Sequence, residues 1–250
     1  MKFLALSLLL TLFISCASDS PEGKTEAEVL YKEAQELIES DRFILATEKL
    51  QQIKTQHPYS FYATPAELLL AEVQFKQESY PEAAASFLLF RDFHPKHEKI
   101  AYVIFMIAES YYKQLPDTID RDLETGAEAL KFYEELVAKY PNSPELKKAK
   151  NRTKKILKML REKDQYVADF YFKTKVWEAA RYWYIDILTR HAENVPLRQH
   201  SMLRVVASSA QMKKWQECEL YAEKFQALVD KAAAEEIRSW QKQCKKREIR

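Results

Sequence analysis

Two glycines, Gly23 and Gly126, are all that a chain of 250 residues contains. Ordinary usage of about 7% would supply roughly 17. Glycine is what makes a positive φ cheap and lets backbone approach a ligand closely. Without it a chain cannot build a phosphate-cradling loop, a dinucleotide fingerprint or a run of tight hairpin turns. P-loop folds, Rossmann folds and most all-β folds are excluded. Helix-favouring Ala, Leu, Glu and Lys are abundant instead, with 14 Tyr and 13 Phe. The chain reads as all-α, its helices packed through aromatics and alanines. Lys plus Arg is 39 against 37 Asp plus Glu, a net charge of +2, so it lacks the basic excess of a nucleic-acid binder.

The first residues read as an address. Met1-Lys2 is followed by a twelve-residue apolar run, Phe3 to Ile14. That is short of the ~20 residues of a membrane-spanning helix and fits the apolar core of a secretory signal. Ser15-Cys16 then resembles a bacterial lipobox. On that reading residues 1–15 are the signal peptide, and Cys16 carries the lipid and starts the mature chain. Cleavage after Ala17, with Ser15 and Ala17 as the small residues, is the competing reading. Ala17, and not Asp, follows the cysteine, which in the enterobacterial scheme implies the outer membrane. Residues 16–26 are small and polar and read as a tether.

Alanines reveal a repeat. Ala34 and Ala46, Ala71 and Ala83, and Ala168 and Ala180 are each 12 apart. Ala34, Ala71 and Ala108 are spaced by 37, as are Pro58 and Pro95. The pattern looks like the tetratricopeptide repeat (TPR), a helix-turn-helix with small residues where its two helices touch and a proline ending the second. Unit one runs from about Ala27 to Pro58 and unit two from about Thr64 to Pro95. Unit three runs from about Ala101 to Pro141, with nine extra residues within Leu115 to Gly126. Unit four contains Ala168, Trp177 and Ala180. In a degenerate unit five, Val206 and Cys218 take the small-residue positions. A helix over about Ala232 to Arg247 caps the stack. The expected fold is a right-handed solenoid of about five such repeats. Residues 27–141 hold units one to three, 142–163 a long connecting helix, and 164–250 units four and five with the cap.

The connecting helix has an apolar stripe, Leu146, Ala149, Thr153, Ile156 and Leu160. Its remaining surface is mostly Lys and Arg, which suits either an acidic partner or plain solvent. Catalytic chemistry is hard to find. His57, His94, His97, His191 and His200 form no metal motif, since Pro95 interrupts the one close pair. Asp120-Arg121-Asp122 lacks a nearby base or oxyanion donor and reads as a loop-stabilising charge cluster. Cys218 and Cys244 either pair, as a periplasmic location permits, or pack as thiols. No cofactor, no metal and no enzyme activity is expected.

Several segments resemble the BamD family, lipoproteins of the bacterial β-barrel assembly machinery. Tyr102 to Met106 (YVIFM) is similar to that family's YVxYM run. Asp120 to Asp122 is similar to its D-R-D insertion, and Leu136 to Ser143 (LVAKYPNS) to its L-V-x-x-YPNS. Tyr166 to Trp177 (YVADFYFKTKVW) resembles the run opening unit four. The resemblance implies a lipid-anchored scaffold in the outer membrane, facing the periplasm. It implies two partners: a BamA-like barrel protein, whose POTRA domains the C-terminal repeats bind, and unfolded outer-membrane proteins, whose C-terminal strand the N-terminal repeats receive. Accessory Bam lipoproteins are further partners. A pilotin-like TPR lipoprotein that escorts secretin subunits, and a cell-wall-associated factor, are the alternatives.

TPR register then names a peptide groove. Positions facing the concave side of helix A are Tyr31, Gln35 and Ile38 in unit one. Unit two supplies Leu68, Glu72, Phe75 and Lys76, and unit three Tyr102, Phe105, Glu109, Tyr112 and Lys113. Aromatic faces suit the side chains of an incoming strand, and a lysine suits its terminal carboxylate.

Overall fold

The computed structural model describes residues 23–248, so the expected signal peptide and Cys16 lie outside the described residues. Eleven helices follow one another: α1 (Glu26–Glu39), α2 (Phe43–Gln56), α3 (Ala63–Lys76), α4 (Tyr80–Phe93), α5 (Ile100–Lys113), α6 (Glu124–Lys139), α7 (Leu146–Lys173), α8 (Trp177–Arg190), α9 (Val195–Gln211), α10 (Trp215–Phe225) and α11 (Lys231–Glu248). No strand occurs among the described residues. Helices α1, α3 and α5 start at residues 26, 63 and 100, which keeps the 37-residue period of the alanines. The structure is an all-α, TPR-like succession of helix pairs.

The alanine positions do what small residues at helix crossings do. Ala34, Ala46, Ala71, Ala83, Ala108, Ala129, Ala168 and Ala180 are all fully buried. Two compact units divide within α5, between Ser110 and Tyr111. In the first unit α1 packs on α2, α2 on α3 and α3 on α4. Leu30, Ile38, Leu50, Ile53, Leu70 and Val73 form the core there. In the second, α6 through α11 pack in sequence, and α11 also returns to α9.

Helix starts are capped where the sequence offers a cap. Thr25 Oγ1 accepts from Glu28 N at 3.2 Å, and the Glu28 carboxylate accepts from Lys24 N at 3.0 Å, a reciprocal arrangement of the capping-box kind. Asn194 caps α9 through Leu197 N, and Asp230 accepts from Ala233 N in α11. The three-residue turns inside the hairpins need one left-handed residue each. With no glycine available, Asp41, Glu78, Lys175 and Lys213 take it, at φ of 56°, 61°, 63° and 60°.

The second unit is less regular. The expected boundary between a connecting helix and unit four, at residues 163/164, falls inside α7, which runs unbroken for 28 residues. No Pro or Gly occurs between Glu145 and Val195 to stop it. Gly126 is the glycine that packing requires. A Cβ there would lie 3.0 Å from Leu115 Cδ2 and 3.1 Å from Ile156 Cγ2, so its absence lets α6 approach α7 and the insertion. Cys218 and Cys244 form a disulfide that joins α10 to α11, which closes the alternative left open by the sequence.

Candidate functional site

In the first unit the first helices α1, α3 and α5 each carry one half-buried aromatic of the expected groove, Tyr31, Phe75 and Tyr102. The Tyr31 ring lies 5.4 Å from that of Tyr62, and Phe61 meets Tyr62 edge-on at 5.5 Å. Burial, then the nearby Glu72 carboxylate, pushes the Tyr31 phenol above its ordinary value. Phe75 packs edge-on against Tyr80 at 5.2 Å. Gln35 and Lys76 are exposed, and Glu72, Phe75 and Tyr102 are half-buried. Ile38, Leu68, Phe105 and Glu109 are buried. Leu68 and Phe105 each stand three residues before a buried alanine, Ala71 or Ala108, so they share its helix edge and are buried with it. Ile38, four residues after Ala34, sits in the core for the same reason.

Tyr112 and Lys113 lie in the second unit. With Leu115, Ile119, Lys155 and Lys158 they line a pocket between the end of α5, the insertion and α7. The Arg152 guanidinium covers the Tyr112 ring at 4.1 Å. Lys163 Nζ donates to the carbonyls of Ile119 and Arg121, at 3.2 and 2.5 Å, and pins the insertion to α7. Asp122 accepts from Glu124 N at 3.0 Å, at the start of α6. A hydrogen bond from Thr118 leads the interactions that hold the Asp120 carboxyl below its usual range. The D-R-D segment thus makes structural contacts in its loop.

Sequence reading missed a set of polar clusters. Asp169 on α7 accepts from the Tyr184 hydroxyl at 2.5 Å and pairs with His200 Nε2 at 3.0 Å. Burial pushes the Asp169 carboxyl up, but the His200 and Tyr184 hydrogen bonds outweigh it and hold it below its ordinary value. Tyr184 is pushed far up by its own burial and by Asp169. Elsewhere, His94 meets Glu67 at 2.9 Å and His191 meets Asp164 at 2.7 Å. Both histidines cap the C-terminus of a second helix, at α4 and α8, and both partners stand 27 residues upstream. That recurrent spacing was the available signal. Among the described residues no group of three or more His, Cys, Asp or Glu side chains is arranged to hold a metal ion.

A family model, YfiO, described as outer membrane lipoprotein, matches residues 23–229. The chain is 31% identical over 193 residues to the outer membrane protein assembly factor BamD of Vibrio cholerae serotype O1, a match covering 72% of this chain and 80% of that protein. It is 29% identical over 197 residues to BamD of Neisseria gonorrhoeae, covering 72% and 74%. Among solved structures, the TPR2AB domain of yeast Sti1 in complex with pHSP90 superimposes with a TM-score of 0.44 at 14% identity, covering 89% of this chain and all of that one. A tetratricopeptide repeat protein from Parabacteroides merdae gives 0.39 at 15% identity, covering 87% and 73%.

Proposed function

The chain belongs to the YfiO/BamD family of outer-membrane protein assembly factors, and from that premise we propose a scaffold anchored by Cys16 that works on its partners without covalent chemistry. The helix-A strip of the first unit receives the C-terminal strand of unfolded outer-membrane proteins. The second unit docks on a BamA-like barrel protein through its POTRA domains. The observation that carries the substrate reading is the strip itself: Tyr31, Phe75 and Tyr102 are aromatic, half-buried and borne on successive first helices. Such rings offer flat apolar contact at little entropic cost, and Lys76 beside them suits a terminal carboxylate. The Cys218–Cys244 disulfide is in keeping with an oxidising compartment such as the periplasm. No helix among the described residues is long and apolar enough to cross a membrane, so on this reading acyl chains supply the attachment, at about 0.8 kcal/mol per buried CH₂.

The test is titration of a labelled peptide ending in Phe against wild type and a Phe75→Ala/Tyr102→Ala variant. Each lost anchor should weaken binding by about 1 kcal/mol or more. Equal affinity in a variant that keeps its helical circular dichroism refutes the strip. Co-purification of a POTRA-bearing barrel protein from detergent-solubilised outer membrane tests the second half of the reading. Its absence there removes the docking assignment.

A further inference from the structure

The two residues of the α2–α3 connection that lie outermost are aromatic. Tyr59 is 100% exposed and Phe61 85% exposed. The connection is not a loose one. Ser60 N donates to His57 O at 3.0 Å and Ala63 N to Ser60 O at 3.1 Å, giving two successive turns. Tyr62 faces inward onto Tyr31 and braces Phe61 edge-on. The fold therefore holds these rings out in water, where apolar surface is costly unless something covers it.

The repeat supplies an internal control. His57, His94, Tyr140 and His191 are the equivalent C-caps of α2, α4, α6 and α8. Two residues beyond each cap stand Tyr59, Lys96, Asn142 and Glu193. Beyond the α10 C-cap, Gln226, the same position is Leu228, 51% exposed; a polar residue is accepted at three of the five, and the α2–α3 connection alone of the five carries an aromatic one. That connection adjoins the start of α1, because His57 Nε2 lies 3.5 Å from Glu26 Oε2. From Cys16 to Glu26 is ten residues, a reach of at most about 35 Å. The acyl chains thus cannot be far from this end of the first hairpin. On the same unit Leu89 and Phe93 at the end of α4, with Lys54 of α2 and Glu67 of α3, line a small pocket of mixed polarity.

We infer that Tyr59 and Phe61 seat the first hairpin in the headgroup region of the phospholipid leaflet that holds the anchor. Tyrosine at such an interface keeps its ring in the acyl boundary and its hydroxyl in water. The inference rests on the proposed acylation of Cys16. It adds that the tether is short because the domain itself touches the bilayer.

The mature lipidated chain is reconstituted with vesicles of phosphatidylethanolamine and phosphatidylglycerol. Cys16 is acylated and Cys218 and Cys244 are bonded, so Tyr59→Cys or Lys96→Cys introduces a single thiol for an environment-sensitive fluorophore. Vesicle flotation is measured first, then quenching by lipids carrying a shallow nitroxide. Flotation with blue-shifted, strongly quenched emission at 59 and aqueous emission at 96 is the expected result. Flotation with equal signals at 59 and 96 overturns the seating and leaves the anchor standing. Failure to float sinks the acylation reading, and the seating with it. A signal at 59 that responds only to the barrel partner, without vesicles, makes the loop a protein contact and also overturns the seating.

Discussion

The two compact units are built from the same repeat but held together differently. In the first, first-helix starts keep the 37-residue period, and a core of Leu, Ile, Val and Ala joins α1 to α3, with Phe87 and Phe90 buried on α4. In the second, a nine-residue insertion, a 28-residue helix and a degenerate last repeat break the period. Cross-links of another kind appear where it breaks. Lys163 pins the insertion, Tyr184 and His200 converge on Asp169, and a disulfide ties α10 to α11. Regular repeats are stabilised by nearest-neighbour burial. The irregular unit, with less complementary faces, adds polar and covalent links beyond the His–carboxylate pair that both units share. The contrast can be followed in one sample, because all four tryptophans, Trp177, Trp183, Trp215 and Trp240, lie in the second unit.

The largest effect should come from the disulfide. It closes 26 residues, and chain entropy assigns such a loop about 3.5 kcal/mol. Cys218→Ser/Cys244→Ser should lower the tryptophan-detected melting temperature well below that of the circular-dichroism component from the first unit. A uniform drop in both signals would mean that the units unfold as one.

Overpacking comes next. Ala71, in the first helix of its repeat, and Ala180, in the second helix of its own, are both small-residue positions at a hairpin crossing, and both are fully buried. Ala71→Leu and Ala180→Leu should each cost about 1–3 kcal/mol, the first sparing the tryptophan signal and the second moving it. Chemical denaturation with both probes reads the difference. A variant that leaves both transitions in place breaks the common register.

The Asp169 cluster sharpens the comparison through pH. Its folded-state carboxyl is held low, so its contribution is fully present above the unfolded value of about 3.9. It is lost as pH falls through the lower folded value. The tryptophan transition should therefore weaken below about pH 4, and Asp169→Asn should reduce that slope. An unchanged acid profile in the variant would assign the acid sensitivity to other groups.

The smallest effect should be shared by both units. Asp41, Glu78, Lys175 and Lys213 sit at nearly the same positive φ. Glycine at any of them should stabilise by about 0.5–1 kcal/mol, measured as a small rise in melting temperature. A gain at Asp41 and Glu78 with none at Lys175 and Lys213 would show that the turns are not equivalent.

Much of the repeat was legible because a helix crossing admits only a compact side chain, and alanine fills it in most of the repeats. Spacings between such residues survive when everything around them changes. The turns were not legible, since the usual marker of a left-handed residue is glycine and none of the four turns has one. The unbroken α7 was legible only as an absence: the segment lacks Pro and Gly, yet the repeat register invites a cut at residue 163. Cys218 occupies a small-residue position, so the sequence left a packed thiol and a bond to Cys244 both open, and the structure shows the bond. At the strip, register gave the helix edge but not depth. Leu68 and Phe105 lie too close to the alanine ridge to emerge, whereas Tyr31 and Tyr102 reach the surface. The His94–Glu67 and His191–Asp164 pairs become visible in sequence only after the repeats are aligned.

The length of α7 has a mechanical consequence. Its 28 residues span about 42 Å at 1.5 Å per residue, with no Pro, Gly or irregular turn to serve as a joint. Such a rod is stiff along its axis, so load taken up near Lys147 is delivered at Lys173 without being absorbed between. The pinned insertion rides on this rod at Lys163, and the Asp169 cluster couples its far end to α8 and α9. The segment that a repeat map would draw as a spacer is therefore a strut, and anything that grips its basic surface steers the helices packed on the other end.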